Sequence, residues 1–92
     1  MNPDRLPVVF RFDRGEVTAV FPTLPANPGF MVCYAHIGQH SECSRDWYYT
    51  TRPATEAERA SLLAELRQIY DDCELIVQRR LPPWRTCHAF TA

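Results

Sequence analysis

One stretch of this sequence leaves little freedom of local structure. Thr55-Glu56-Ala57-Glu58 fits a capping box: the threonine hydroxyl can accept from the Glu58 amide while the Glu58 carboxylate reaches back to the start of the helix. Pro53 stands just ahead, where a proline does no harm. Leu62, Leu66 and Ile69, with Leu63 and Tyr70, then recur at helical spacing and form an apolar stripe. Glu56, Glu58, Arg59, Glu65, Arg67 and Gln68 are expected to face water, and Asp71-Asp72 ends the segment. A helix with one apolar stripe must bury it, so the rest of the chain has to supply a partner surface.

That partner is a sheet. Val8 to Asp13 alternates, with Val8, Phe10 and Phe12 on one face and Val9, Arg11 and Asp13 on the other. Asp13-Arg14-Gly15-Glu16 reads as a tight hairpin in which Gly15 takes a positive φ. Glu16 to Phe21 alternates again, until Pro22 withdraws a ladder donor. Thr23 to Gly29 is a proline-rich surface loop. In the third strand, Phe30 to Ile37, both faces are apolar, which implies neighbours on both edges or cover on both faces. Cys73 to Arg80 is a fourth strand, stopped by Pro82-Pro83.

Between the third strand and the helix, Gly38 to Pro53 is polar and irregular but contains Trp47, Tyr48 and Tyr49. A connection this long in a small domain carries function or hides a short strand, and Trp47 to Thr51 is the candidate strand. The expected order is therefore β-β-β-α-β, an α+β fold. An antiparallel sheet of three to five strands packs on one amphipathic helix, the last strand runs parallel to the first, and the second sheet face stays partly open. Ninety-two residues hold one core. A single domain is expected over 1–92, with an ordered core at about 7–81 and a partly mobile tail at 82–92.

The net charge of −1 argues against a non-specific nucleic-acid binder, which needs a basic field. Asp71, Asp72 and Glu74 form too short an acidic run for a DNA mimic. All 10 basic residues are arginine, which reads first as a GC-rich coding bias and second as a preference for bidentate interface contacts. Met1 to Leu6 has neither the basic segment nor the apolar run of a signal peptide, and no stretch is long enough to span a membrane. A cytoplasmic location is the default expectation. Cys33, Cys43, Cys73 and Cys87 are then reduced thiols or metal ligands rather than disulfides.

Cys33, His36, His40 and Cys43 are four soft ligands of the types that tetrahedral zinc takes. The strand period opposes them, since Cys33 and His36 should point to opposite faces. A core thiol and a polar strand end are the favoured reading, and no cofactor is expected. His36, His40 and Cys43 with Asp46 could in principle pair a nucleophile with a base, yet no nucleophile turn or oxyanion signature accompanies them. The chain is expected not to be an enzyme.

Arg45, Trp47, Tyr48, Tyr49 and Arg52 interleave cations with rings. Three readings stay open: core aromatics, a protein contact surface, or a single-strand nucleic-acid surface. Arg79, Arg80, Trp84 and Arg85 add a second basic cluster, in which Trp84 is a contact anchor if exposed and Arg85 its charged neighbour.

Several segments are similar to a known group. The Val8 to Pro22 pattern, the Tyr34-Ala-His-Ile-Gly-Gln-His40 segment, Thr51-Arg-Pro-Ala-Thr55 and the late strand ending in Arg79-Arg80 resemble short uncharacterised proteins of phages, plasmids and conjugative elements. The resemblance spans roughly residues 8 to 80 and implies no activity, catalytic residue or zinc site. Cys33, Cys43 to Tyr49 and the Trp84 tail look particular to this chain. Small mobile-element proteins often bind and block a larger host protein, inhibitors of CRISPR complexes among them, and that analogy is independent of fold.

The expected function is thus a non-catalytic protein-binding module, such as a counter-defence inhibitor acting by steric occlusion of a host protein. Its contact residues would be Arg45, Trp47, Tyr48, Tyr49, Arg52, Trp84 and Arg85. A nucleic-acid-binding accessory protein and a small zinc protein are the alternatives, and an open sheet edge could support a homodimer.

Overall fold

The computed structural model describes residues 4–35 and 40–81. Within them the order is β1 (Asp4–Asp13), β2 (Glu16–Phe21), β3 (Phe30–Tyr34), β4 (His40–Ser44), α1 (Arg45–Thr50), β5 (Arg52–Pro53), α2 (Glu56–Ile69) and β6 (Cys73–Gln78). The fold is α+β, as expected. One sheet carries the order β4-β3-β2-β1-β5, with β6 also paired to β1. Its ladders are antiparallel except for β1/β6, which is parallel over Asp4↔Cys73 to Val9↔Gln78. β5 and β6 share the same flank of β1, β6 along its first half and β5 at Arg11↔Pro53 and Phe12↔Arg52.

The β1–β2 turn is the tight hairpin expected, closed by the Asp13↔Glu16 pair. Arg14 has φ 53° as well as Gly15 at φ 82°. Both central residues are left-handed, as a two-residue hairpin whose twist matches its strands requires. β1 also begins earlier than expected, because β6 pairs with it from Asp4 onward. Pro7 is tolerated inside that strand because the β2 ladder ends at Val9↔Val20, leaving β1 with a neighbour on one flank only. β6 stops at Gln78, so Arg79 and Arg80 lie beyond it.

The strand period sorts the core into two layers. Leu6, Val8, Phe10, Ala19, Phe21 and Tyr34 pack beneath Leu62 and Leu66 of α2. Both leucines are fully buried, a contribution of about 1.5–3 kcal/mol each. The expected capping box is present: Thr55 Oγ1 accepts from Glu58 N at 3.1 Å, and Glu58 Oε1 accepts from Thr55 N at 2.9 Å. Ile69 departs from the expected stripe and is 44% exposed.

The other face holds Val9, Val20, Met31, Cys33, Cys43 and Tyr48. It is not open. The segment expected to be a loop with a strand at Trp47 to Thr51 is instead β4 followed by the one-and-a-half-turn helix α1, which closes this face. Ser44 caps α1 by accepting from Trp47 N at 3.1 Å, and Asp46 sits in its first turn. Aromatic and β-branched residues favour strands weakly, and here the cap and the burial of Tyr48 override that preference.

Candidate functional site

α1 spans six residues, too few to persist alone, so tertiary contacts must hold it. The hold is Arg11, on the β1 face turned toward α1. Arg11 is 8% exposed, and its Nε and Nη2 donate to Thr51 Oγ1 at 2.7 Å and Thr51 O at 2.6 Å. Nη2 also reaches Tyr48 O at 3.4 Å, a carbonyl that already accepts from the Thr51 amide and hydroxyl, so the guanidinium joins a network at the C-terminus of the helix. The guanidinium carbon stands 4.2 Å from the Tyr48 ring centroid. Buried hydroxyl, carbonyls and guanidinium thus satisfy one another.

This arrangement sorts the contact residues expected from sequence. Tyr48 is 5% exposed and belongs to the core. Trp47 is half-buried against the same cluster. Tyr49 points outward at 70% exposure, its ring edge-on to Tyr48 with centroids 5.5 Å apart. Arg45 is exposed at the start of the helix. Arg52 is exposed but already engaged: its two terminal nitrogens donate to Glu58 at 2.9 and 2.7 Å, and its guanidinium lies 4.1 Å from the Phe12 ring. That fork fixes β5 to the start of α2 and holds the Glu58 carboxyl down to about 2, with the Thr55 amide assisting. Trp84 and Arg85 lie outside the described residues.

The thiols and imidazole do not converge. The register Cys33↔Ser41 and Met31↔Cys43 puts Cys33 and Cys43 on the α1 side, whereas Tyr34↔His40 puts His40 on the α2 side. There His40 packs 4.8 Å from the Tyr34 ring, and its Nε2 lies 2.6 Å from Tyr70 Oη. The sheet therefore separates His40 from Cys43, which removes both the zinc set and a His40–Cys43 nucleophile pair as drawn from sequence. His36 lies outside the described residues, and among those described no three His, Cys, Asp or Glu side chains gather to hold a metal. The Cys33 thiol is held below its ordinary range by a hydrogen bond from Cys43, with Ser41 Oγ 3.2 Å away and burial opposing. Cys43 moves the opposite way, chiefly because it gives that hydrogen bond.

A crevice that sequence spacing did not reveal opens where β5 and β6 part along the flank of β1. It has a volume of about 460 Å³, with Phe10 and Ala54 at its floor and Glu56, Arg59, Gln78 and Arg79 on its walls. Arg59 was expected to face water, yet its Nε is buried without a hydrogen-bond partner among the described residues, and so is Gln78 Oε1. Periodicity places Arg59 on a helix and Gln78 on a strand, but only the crossover from β5 through α2 to β6 brings them to one cavity.

Comparison with protein-family models, curated proteins and solved structures finds no match to this chain.

Proposed function

We propose that this chain is a small non-catalytic protein-binding module that docks on a host protein through the outer surface of α1 and acts by occlusion. The observation that carries this reading is Tyr49. A tyrosine ring 70% exposed stands on a helix whose inner side is fixed by the Arg11–Tyr48 contact. Tyrosine contributes large contact area with few rotors, and such rings are enriched among residues that dominate binding. A ring held in place before docking loses little further entropy on binding. Arg45, on the same helix, supplies charge at the rim. A counter-defence role, such as blocking a CRISPR complex, is the biological setting we attach to this module by analogy.

The nucleic-acid alternative is less favoured. Net charge is −1, and Arg52 of the arginine–aromatic segment is neutralised by Glu58.

Affinity capture from host lysate with the wild-type chain and with Tyr49→Ala tests the reading. A partner recovered by the first and lost by the second, at unchanged melting temperature, is the expected result. Equal recovery by both chains overturns it. Capture of nucleic acid with a steep salt dependence overturns it as well, in favour of the alternative.

A further inference from the structure

β6 pairs with β1 along one edge, and among the described residues no strand covers its other edge. Such an edge offers a row of backbone donors and acceptors to another strand, and proteins blunt it with charged side chains, proline or a bulge. β6 is poorly blunted. It reads Cys-Glu-Leu-Ile-Val-Gln, with Glu74 its one charge, and its register with β1 runs unbroken from Asp4↔Cys73 to Val9↔Gln78. Leu75, Ile76 and Val77 stay half-buried, although Val8 and Val9 of the adjacent strand are fully buried. Leu75 and Val77 lie at the margin of the layer beneath α2. Ile76, beside Pro7 on the opposite face, belongs to neither core layer among the described residues. Charge is polarised along the segment: Asp71, Asp72 and Glu74 stand at its start, Arg79 and Arg80 just past its end, all exposed. The sheet's opposite edge, β4, is instead polar and carries Glu42 at its centre, where a two-fold axis would set like charge against like.

We infer that two copies of this chain pair β6 with β6 antiparallel, joining their sheets across a two-fold axis at Ile76. A two-fold contact of this kind is self-complementary and closes as a dimer. The axis sets Ile76 against Ile76 of the second copy on one face. On the other it sets Leu75 against Val77 of the second copy, which extends the apolar layer on the α2 side. Antiparallel order also brings the acidic start of each strand to the basic end of the other, with Asp72 facing Arg80 of the second copy at both ends of the ladder. Main-chain hydrogen bonds supply the affinity, as in other strand additions, and the charge pattern fixes direction and register. The pairing uses neither α1 nor Tyr49, so it is independent of the docking surface proposed above.

Sedimentation equilibrium of the full-length chain in reductant, from low-micromolar to sub-millimolar concentration, tests this. The mass should rise from that of one chain to that of two. Ile76→Lys, at a half-buried position outside both core layers, should weaken the dimer roughly tenfold or more and leave the melting temperature of the dilute monomer unchanged. Asp72→Arg and Arg80→Asp, both at exposed positions, should each weaken association alone, because like charges then meet at both ends of the ladder. An equimolar mixture of these two variants should restore a mixed dimer, since opposite charges then face each other at both ends. A chain that stays monomeric across the range overturns the inference. So does a dimer indifferent to Ile76→Lys, or a mixture of the charge variants that associates no better than its components. Contacts from residues 82–92 along the outer edge of β6 in the monomer would also overturn it.

Discussion

The Arg11 guanidinium lies 4.2 Å from the centroid of the Tyr48 ring while donating to Thr51 at both its hydroxyl and its carbonyl. A single side chain from the central strand therefore closes the C-terminus of α1 and supports the ring that seats it. The outward position of Tyr49 follows from that contact, since Tyr48 and Tyr49 leave the helix in different directions.

Arg11→Ala should accordingly destabilise the chain by about 1–3 kcal/mol, because it removes the charged donor to the Thr51 hydroxyl and carbonyl and the guanidinium over the Tyr48 ring, while the Tyr48 carbonyl keeps its bonds from the Thr51 amide and hydroxyl. Arg11→Met, which keeps the packing but not the hydrogen bonds, should lose less. Urea titration followed by Trp47 fluorescence measures both, since that indole packs against the same layer. An unchanged midpoint for Arg11→Ala would show that α1 is held by the core rings alone.

Leu62 and Ile69 belong to the same sequence stripe but should respond differently to truncation. Leu62 is fully buried, and Leu62→Ala should cost roughly 2–5 kcal/mol through lost burial and the cavity left behind. Ile69 is 44% exposed, so Ile69→Ala should cost about 1 kcal/mol or less. Thermal unfolding of the two variants side by side decides this. Equal losses would place Ile69 against the sheet.

The Arg52–Glu58 fork predicts an acid-sensitive component of stability. The folded Glu58 carboxyl is held down to about 2, below its ordinary value of 4.5, first by Arg52 and then by the Thr55 amide. A depressed carboxyl stabilises the fold above its unfolded value, and that stability drains away as pH falls from about 4.5 toward about 2. Glu58→Gln should be less stable than wild type at neutral pH and flatten the acid limb of the curve. Urea midpoints of both chains between neutral and strongly acidic pH provide the measurement, and parallel acid limbs would assign the sensitivity to other carboxyls. Solvent screens this exposed pair, so the gap should also narrow in high salt.

Much of the architecture was written locally. The capping box at Thr55, the leucine pair beneath α2, the alternation of β1 and β2 and the turn at Gly15 each depend on residues close together in the chain. The parallel pairing of β6 with β1 was expected too, although β5 and β6, the strands that flank α2, run in opposite directions along β1. β4 was not legible, because an edge strand reading His-Ser-Glu-Cys-Ser buries only Cys43 and is formed by the backbone ladder offered by β3. α1 was not legible either, since Trp47, Tyr48 and Tyr49 are strand formers by preference and become a helix through the Ser44 cap and a buried guanidinium 37 residues away in sequence.

The sites divide in the same way. Residue types alone singled out Tyr49, Arg45 and the thiol–imidazole set as notable, and alternation already set Cys33 against His36. Which of them reach solvent, which lie on opposite sides of one sheet, and that Arg59 and Gln78 share a crevice were decided by tertiary structure. The physical reason is range: periods of two and 3.6 residues fix the face a side chain takes on its own element, whereas burial and convergence depend on contacts between elements far apart in the chain, which local spacing does not encode.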